Sequence, residues 1–284
     1  MEVIAGVDSM QRRAEEMRLA GKTLGLVPTM GFLHEGHLEL MRVARKHADV
    51  VIISIFVNPT QFGPNEDFKS YPRDMEGDLA KAGSVGVDIA FTPSVEGMYP
   101  GGSQTTVAVG PLTRHLCGLS RPGHFEGVTT VVTKLFNITK PHIAVFGQKD
   151  YQQLTVIARM VKDLNMDIQI IGVPTVREPD GLAMSSRNSY LNPDERESAL
   201  SLKKSMDLAE RLFDEGERKA SLIQAAAREL ILSHPFTRID YVTLCDPVTL
   251  EEAEILGDQA LIGLAVQVGK TRLIDNCLLG RQKK

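Results

Sequence analysis

Between Thr23 and Pro174, short uninterrupted apolar runs alternate with segments whose apolar residues recur every three or four positions. The runs Thr23-Val27, Val50-Val57, Asp88-Thr92, His142-Phe146 and Ile168-Val173 predict strands, and their lack of strict alternation predicts burial on both faces. Between them, Leu38, Met41 and Ala44 mark one amphipathic helix, Val128, Val131, Val132 and Leu135 a second, and Leu154, Ile157, Val161 and Leu164 a third. Strands alternating with helices predict a doubly wound α/β domain, a parallel sheet wrapped by helices. After the polar segment Arg177-Arg187 the pattern changes to two charged helices, near Pro193-Phe213 and Ser221-Ser233. Strands follow near Ile239-Leu244, Leu261-Val268 and Arg272-Ile274. This second part predicts a smaller α+β domain, which places the division at residues 1–176 and 177–284.

Composition narrows the classes open to such a chain. With 284 residues, 43% of them hydrophobic, two cores can be built. A formal charge of -4, from 32 basic and 36 acidic residues, supplies no field for a polyanion, so nucleic acid is not an expected partner. Cys117, Cys245 and Cys277 are far apart and form no C-x-x-C pair, as expected of free thiols in a reducing compartment. The N-terminus shows no apolar leader, and the run Val50-Val57 is too short to span a bilayer. A soluble cytoplasmic protein without membrane partners is the expectation.

The most informative stretch is Pro28-Thr-Met-Gly-Phe-Leu-His-Glu-Gly-His37, which follows the first long strand and opens a helix. In open α/β sheets, ligands bind beyond the carboxyl ends of strands, where helix N-termini offer backbone donors to anions. Gly31 and Gly36 remove side chains where backbone approaches a ligand, and the His34 and His37 imidazoles can donate to phosphate oxygens. A zinc site is disfavoured, because H-E-x-x-H places its histidines four apart and these are three apart. Asn58 and Gln61 lie just past a strand end, where neutral amides suit a small polar acid. In Gly147-Gln-Lys-Asp150, a lysine at a strand-to-helix junction can neutralise phosphate charge, and an aspartate can hold magnesium or a ribose hydroxyl. Met184-Ser-Ser-Arg187 offers two hydroxyls and a guanidinium as a phosphate clamp, with Gly181 nearby to let the segment close.

H-x-G-H after a first strand resembles the nucleotidylyltransferase and class I aminoacyl-tRNA synthetase superfamily, with its Rossmann-like fold. The longer pattern is similar to the pantothenate synthetase family. The similarity extends through Ser54-Ile-Phe-Val-Asn-Pro-Thr-Gln-Phe62, Tyr71-Pro-Arg73, Arg121-Pro-Gly-His-Phe-Glu-Gly127, Phe146-Gly-Gln-Lys-Asp-Tyr-Gln-Gln153 and Asp180-Gly-Leu-Ala-Met-Ser-Ser-Arg-Asn188. Met184-Ser-Ser-Arg187 resembles the superfamily's second signature but lacks the lysines of the synthetase version. The resemblance implies an ATP site formed by Met30, Gly31, Phe32, Leu33, His34, Glu35, Gly36, His37, Gly147, Gln148, Lys149, Asp150, Val176, Met184, Ser185, Ser186 and Arg187. It implies that Gln61 and Gln153 bind pantoate, with Asn58 and Arg121 as further substrate candidates.

The reaction so implied joins pantoate to beta-alanine through a pantoyl adenylate, with ATP as co-substrate and Mg2+ held mostly by the phosphates and in part by Asp150. A carboxylate is already ionised at neutral pH, so the first step needs positioning and charge neutralisation more than a base. His34, His37, Lys149, Ser185, Ser186 and Arg187 are the residues expected to act there. The family also implies a homodimer. Two other readings fit the shared superfamily motif, a nucleotidylyltransferase acting on another small acceptor and a nucleotide sensor without catalysis. The amides at Asn58, Gln61 and Gln153 favour the carboxylic acid.

Overall fold

The computed structural model describes residues 1–64 and 66–280, and they form two compact units. The first comprises residues 1–109, 121–148 and 153–174, and the second residues 110–120, 149–152 and 175–284.

Six parallel strands form the sheet of the first unit: β1 (Glu2–Ile4), β2 (Leu24–Thr29), β3 (Val50–Ile55), β4 (Ile89–Phe91), β5 (Ile143–Gly147) and β6 (Gln169–Val173). Their order is β1-β4-β3-β2-β5-β6, so the winding reverses between β2 and β5. The longer helices of this unit are α1 (Val7–Leu19), α2 (Glu35–His47), α3 (Met75–Ser84), α6 (His124–Thr139) and most of α7 (Tyr151–Asp163), with the short α4 (Val95–Met98) between α3 and α6; the short α5 (Cys117–Ser120) falls in the second unit. Alternate residues of one strand feed two cores, as a period of two requires. Leu24, Leu26 and Ile52 pack with Met10, Ala14, Val128, Val132 and Ile157 on one face. Val27, Val51 and Ile53 pack with Leu40, Met41, Ala44 and Ala82 on the other. The predicted doubly wound, Rossmann-like sheet is therefore present, with each of its five expected strands.

The position of the winding reversal matters for function. β2 pairs with β5 only at Gly25 and Leu26, whereas β5 and β6 stay paired to Gly147 and Val173. β2 and β5 thus part toward their carboxyl ends, opening the crevice where such sheets bind ligands. The segments leaving those ends are the Met30–His37 turn and the Gln148–Asp150 turn.

The second unit carries α8 (Pro193–Asp214), α9 (Ala220–Leu232) and an antiparallel sheet β7 (Thr237–Cys245), β8 (Ala260–Val268) and β9 (Thr271–Leu279). Pro193 occupies the first turn of α8, and Asn192 and Glu195 form a reciprocal cap, with Glu195 N–H donating to Asn192 Oδ1 at 2.9 Å and Asn192 N–H to Glu195 Oε2 at 3.1 Å. Leu202, Met206 and Phe213 of α8 and Ile223, Ala227 and Ile231 of α9 close over Val242, Ile262, Leu264 and Leu273 of the sheet. This is the expected α+β character. β9 runs longer than the predicted Arg272-Ile274 because Asp275 and Asn276 interrupt its apolar run without ending its pairing.

Candidate active site

The Met30–His37 turn is held from three sides. Thr29 Oγ1 donates to the Ser54 carbonyl at 2.7 Å and accepts the Gly31 N–H at 3.2 Å. The Asp78 carboxylate, buried at 1% exposure, accepts the Phe32 N–H at 2.8 Å and the Leu33 N–H at 2.6 Å. Lys81 Nζ donates to the Leu33 carbonyl at 2.9 Å. The chain needs this support because Gly31 and Phe32 both have left-handed backbone, φ +83° and +51°. Gly31 is also required sterically, since a Cβ there would lie 2.8 Å from Asp78 Oδ2. Asp78 and Lys81 lie on α3, a helix without a sequence signal in the apolar pattern, and no motif points to either residue.

The turn delivers His34 to the N-cap of α2 and His37 to its first turn. The two rings lie against each other with centroids 4.0 Å apart and planes tilted by 34°. His37 Nδ1 accepts the His34 N–H at 3.3 Å, so the neutral ring carries its proton on Nε2. One imidazole donor is thereby oriented at a helix N-terminus, where the backbone already favours an anion.

Beside this turn, Gln61 Nε2 donates to Met30 Sδ at 3.2 Å, which joins the candidate substrate amide to the candidate nucleotide turn. Asn58 is 1% exposed and its amide is engaged throughout. Its Nδ2 donates to Gln61 Oε1 at 3.2 Å and to the Gly127 carbonyl at 3.1 Å, and its Oδ1 accepts from Thr60 Oγ1 at 3.0 Å and Tyr99 OH at 2.8 Å. Burial raises the Tyr99 phenol above its ordinary pKa, so it remains a donor. Arg121 is similarly committed, with bonds to Glu66 at 2.7 and 2.6 Å and to the Gln61 carbonyl at 3.2 Å. His124 Nδ1 donates to that same carbonyl at 2.8 Å, which leaves its Nε2 to accept from Arg121 at 2.9 Å. Burial pushes the Glu66 carboxyl up, but the Arg121 bonds and charge outweigh it and hold the carboxyl below its ordinary range. Gln153 lies on α7, in the same unit as Gln61.

Gly147 ends β5 and Gln148 follows it, both in the first unit, whereas Lys149, Asp150, Val176 and Met184–Arg187 belong to the second. Lys149 Nζ is 4.0 Å from Asp150 Oδ2, with the lysine side chain largely covered and the aspartate half exposed. Val176 accepts the Met184 N–H at 3.0 Å, and Arg177 bridges to Ala183, so residues 176–184 form a narrow hairpin. Its tip turns at Gly181 (φ +94°) and is tied down by Arg196, which pairs with Glu178 and Asp180. Ser185 caps the following turn, its Oγ accepting the Arg187 N–H at 3.3 Å, so its own proton remains available to a ligand. Among the described residues, no cluster of three or more His, Cys, Asp and Glu side chains forms a metal cage.

A family model described as pantoate-beta-alanine ligase matches residues 2–278. The chain belongs to that family. The pantothenate synthetase of Geobacter sulfurreducens is 54% identical over 283 residues, covering 100% of both chains. That of Syntrophobacter fumaroxidans is 57% identical over 279 residues, covering 98% of this chain and 99% of the relative. The crystal structure of pantothenate synthetase from Thermus thermophilus superposes with a TM-score of 0.92 at 43% identity, covering 98% of this chain and 99% of that one. The Francisella tularensis pantoate-beta-alanine ligase, complexed with beta-gamma ATP and beta-alanine, gives a TM-score of 0.82 at 34% identity with full coverage of both chains.

Within this ligase framework, Gly127 sets how closely α6 approaches the Asn58–Gln61 turn. A Cβ at Gly127 would lie 2.4 Å from the Thr60 carbonyl oxygen and 2.7 Å from Gln61 N, both backbone atoms. Gly127→Ala therefore has to displace the turn. We expect a cost of ~1–3 kcal/mol in stability and a KM for pantoate raised by roughly tenfold. Thermal melting and steady-state kinetics check both, and an unchanged pantoate KM would count against Gln61 as a pantoate-binding candidate.

Proposed function

We propose that the chain condenses pantoate with beta-alanine to pantothenate, with ATP as co-substrate, through a pantoyl adenylate. The observation that carries this reading is the family match across residues 2–278, on a chain whose Gln61 amide adjoins the buttressed His34/His37 turn. A pantoate carboxylate oxygen attacks the α-phosphorus, and the bond to the β-phosphate breaks to release pyrophosphate. The beta-alanine amine then attacks the acyl carbon, its extra proton is lost, and AMP leaves.

Each candidate residue has a place in these steps. His37 Nε2–H, His34, the Lys149 ammonium, the Ser185 and Ser186 hydroxyls and the Arg187 guanidinium neutralise the phosphates as charge moves onto the leaving pyrophosphate. Met30–Gly36, Gly147–Gln148, Val176 and Met184 shape the nucleotide site. Gln61 and Gln153 bind pantoate. Asn58 and Arg121, whose polar groups are engaged by the protein, hold Gln61 in place. A magnesium ion held beside Asp150 would supply further positive charge at the phosphates. The half-exposed Asp150 carboxylate is the protein group that would hold it. The adenylate is a mixed anhydride that hydrolyses readily, and we assign its shielding to residues 177–284 acting as a lid. The active form is taken to be a cytoplasmic homodimer. Among the described residues, no helix is long and apolar enough to cross a membrane.

Exchange of labelled pyrophosphate into ATP, without beta-alanine, tests the reading. Exchange that requires pantoate supports it. Exchange indifferent to pantoate, from folded protein that binds ATP, would move the assignment to a nucleotidylyltransferase with another acceptor.

A further inference from the structure

Two consecutive side chains of β9 reach two different segments of the proposed phosphate site. Asn276 Nδ2 donates to the Lys149 carbonyl at 2.7 Å. Asp275, 2% exposed in its side chain, accepts from both terminal nitrogens of Arg177 at 2.7 and 3.1 Å. Its Oδ1 also accepts the Asn276 N–H at 2.9 Å, which links the two contacts. Arg177 donates in addition to the Gly181 carbonyl at 3.2 Å and forms the base of the hairpin that leads into Met184–Arg187. All of these residues belong to the second unit. Adjacent residues on a strand point to opposite faces, which is how neighbours at 275 and 276 can hold separate segments.

The chemistry of this arrangement exceeds what packing needs. A buried carboxylate paired to a cation is seldom better for stability than apolar residues of the same volume, so the bidentate Arg177–Asp275 pair is strongest as a device for fixing geometry. Lys149 itself lies in a turn of only three residues, Gln148–Asp150, so a bond to its carbonyl has a large share in placing its side chain. We infer that Asp275 and Asn276 are positioning residues for adenylation, holding the Lys149 backbone and the 176–187 segment at a fixed spacing so that both meet the triphosphate as one array. This rests on the phosphate role proposed above for Lys149 and Ser185–Arg187.

The test uses Asn276→Ala and Asn276→Asp in the full-length enzyme, the second keeping the side-chain shape while losing the donor. We expect both to lower kcat for pantoate-dependent pyrophosphate exchange by roughly ten- to a hundredfold, the scale of a small misplacement of a catalytic group. The pantoate KM and the melting temperature should stay near wild type. On a Lys149→Ala background, Asn276→Ala should add no more than about twofold, the usual scatter between independent sites. A merely structural role would instead lower the melting temperature and multiply its loss onto Lys149→Ala. That outcome, or wild-type exchange in Asn276→Asp, overturns the inference. If Lys149→Ala alone keeps wild-type exchange, the phosphate reading fails and this inference with it. If Lys149→Ala is impaired and the Asn276 variants are not, only the inference fails.

Discussion

His37→Ala is expected to fold as the wild type does and to lose adenylation by a factor on the order of 10²–10³. The side chain is partly exposed in the first turn of α2 and belongs to no apolar cluster, so its removal opens no cavity in the core. The bond it accepts from the His34 N–H, at 3.3 Å, is at a helix start where water can replace it. What disappears is a donor already aimed by that bond, at a helix N-terminus that favours phosphate charge. The donor matters most as negative charge builds on the departing pyrophosphate, so the loss should fall on kcat, with the KM for ATP changed little. His37→Gln keeps an N–H donor on a longer, unfixed arm and should retain more activity than alanine. Pantoate-dependent pyrophosphate exchange, read beside a melting curve, checks this. A folded His37→Ala enzyme with near-normal exchange would remove the imidazole from the reaction.

The same histidines illustrate what the sequence makes legible. The strands flanking the crevice are nearly continuous apolar runs, and buried parallel strands leave that signature strongly. The glycines and imidazoles between residues 30 and 37 are contiguous in the chain, so their chemistry is readable before any fold is known. α1 carries a comparable stripe in Met10, Ala14 and Met17, but two methionines and an alanine among charged residues make it a faint one. β1 has three residues, too few for any period. The supporting polar residues were silent for a different reason. Asp78 meets its partners 45 and 46 positions away, and Asn276 meets Lys149 across 127. A single long-range hydrogen bond imposes no periodicity on either segment, so only the folded chain reveals it. Asn58 and Arg121 show the converse limit. Asn58 was picked out by its place past a strand end and Arg121 by the family resemblance, yet their commitment to Gln61, Glu66 and Gly127 depends on contacts that spacing does not encode.

Asp78→Ala is expected to damage stability and catalysis together, the opposite of His37→Ala. The substitution leaves the Phe32 and Leu33 N–H groups without their buried acceptor, at about 1–3 kcal/mol for each group left unsatisfied. A loss near 3 kcal/mol in a chain of this size corresponds to a melting temperature lower by roughly 5–10 °C. The consequence for activity follows from backbone conformation. Phe32 has φ +51°, which a residue with a Cβ holds only when its surroundings impose it, and Asp78, which accepts its N–H, is one of the groups that do so. Once released, the turn can relax toward ordinary backbone and carry His34 and His37 with it. A shift of about 1 Å in such groups is enough for a loss approaching a hundredfold. Asp78→Asn keeps one carbonyl oxygen but turns an NH₂ toward the second backbone donor, so its defects should lie between wild type and alanine. Melting curves and pyrophosphate exchange on both variants decide the matter. An Asp78→Ala enzyme with wild-type melting and wild-type exchange would show that the turn keeps its shape without the carboxylate, and that its strain is held by Thr29 and Lys81 alone.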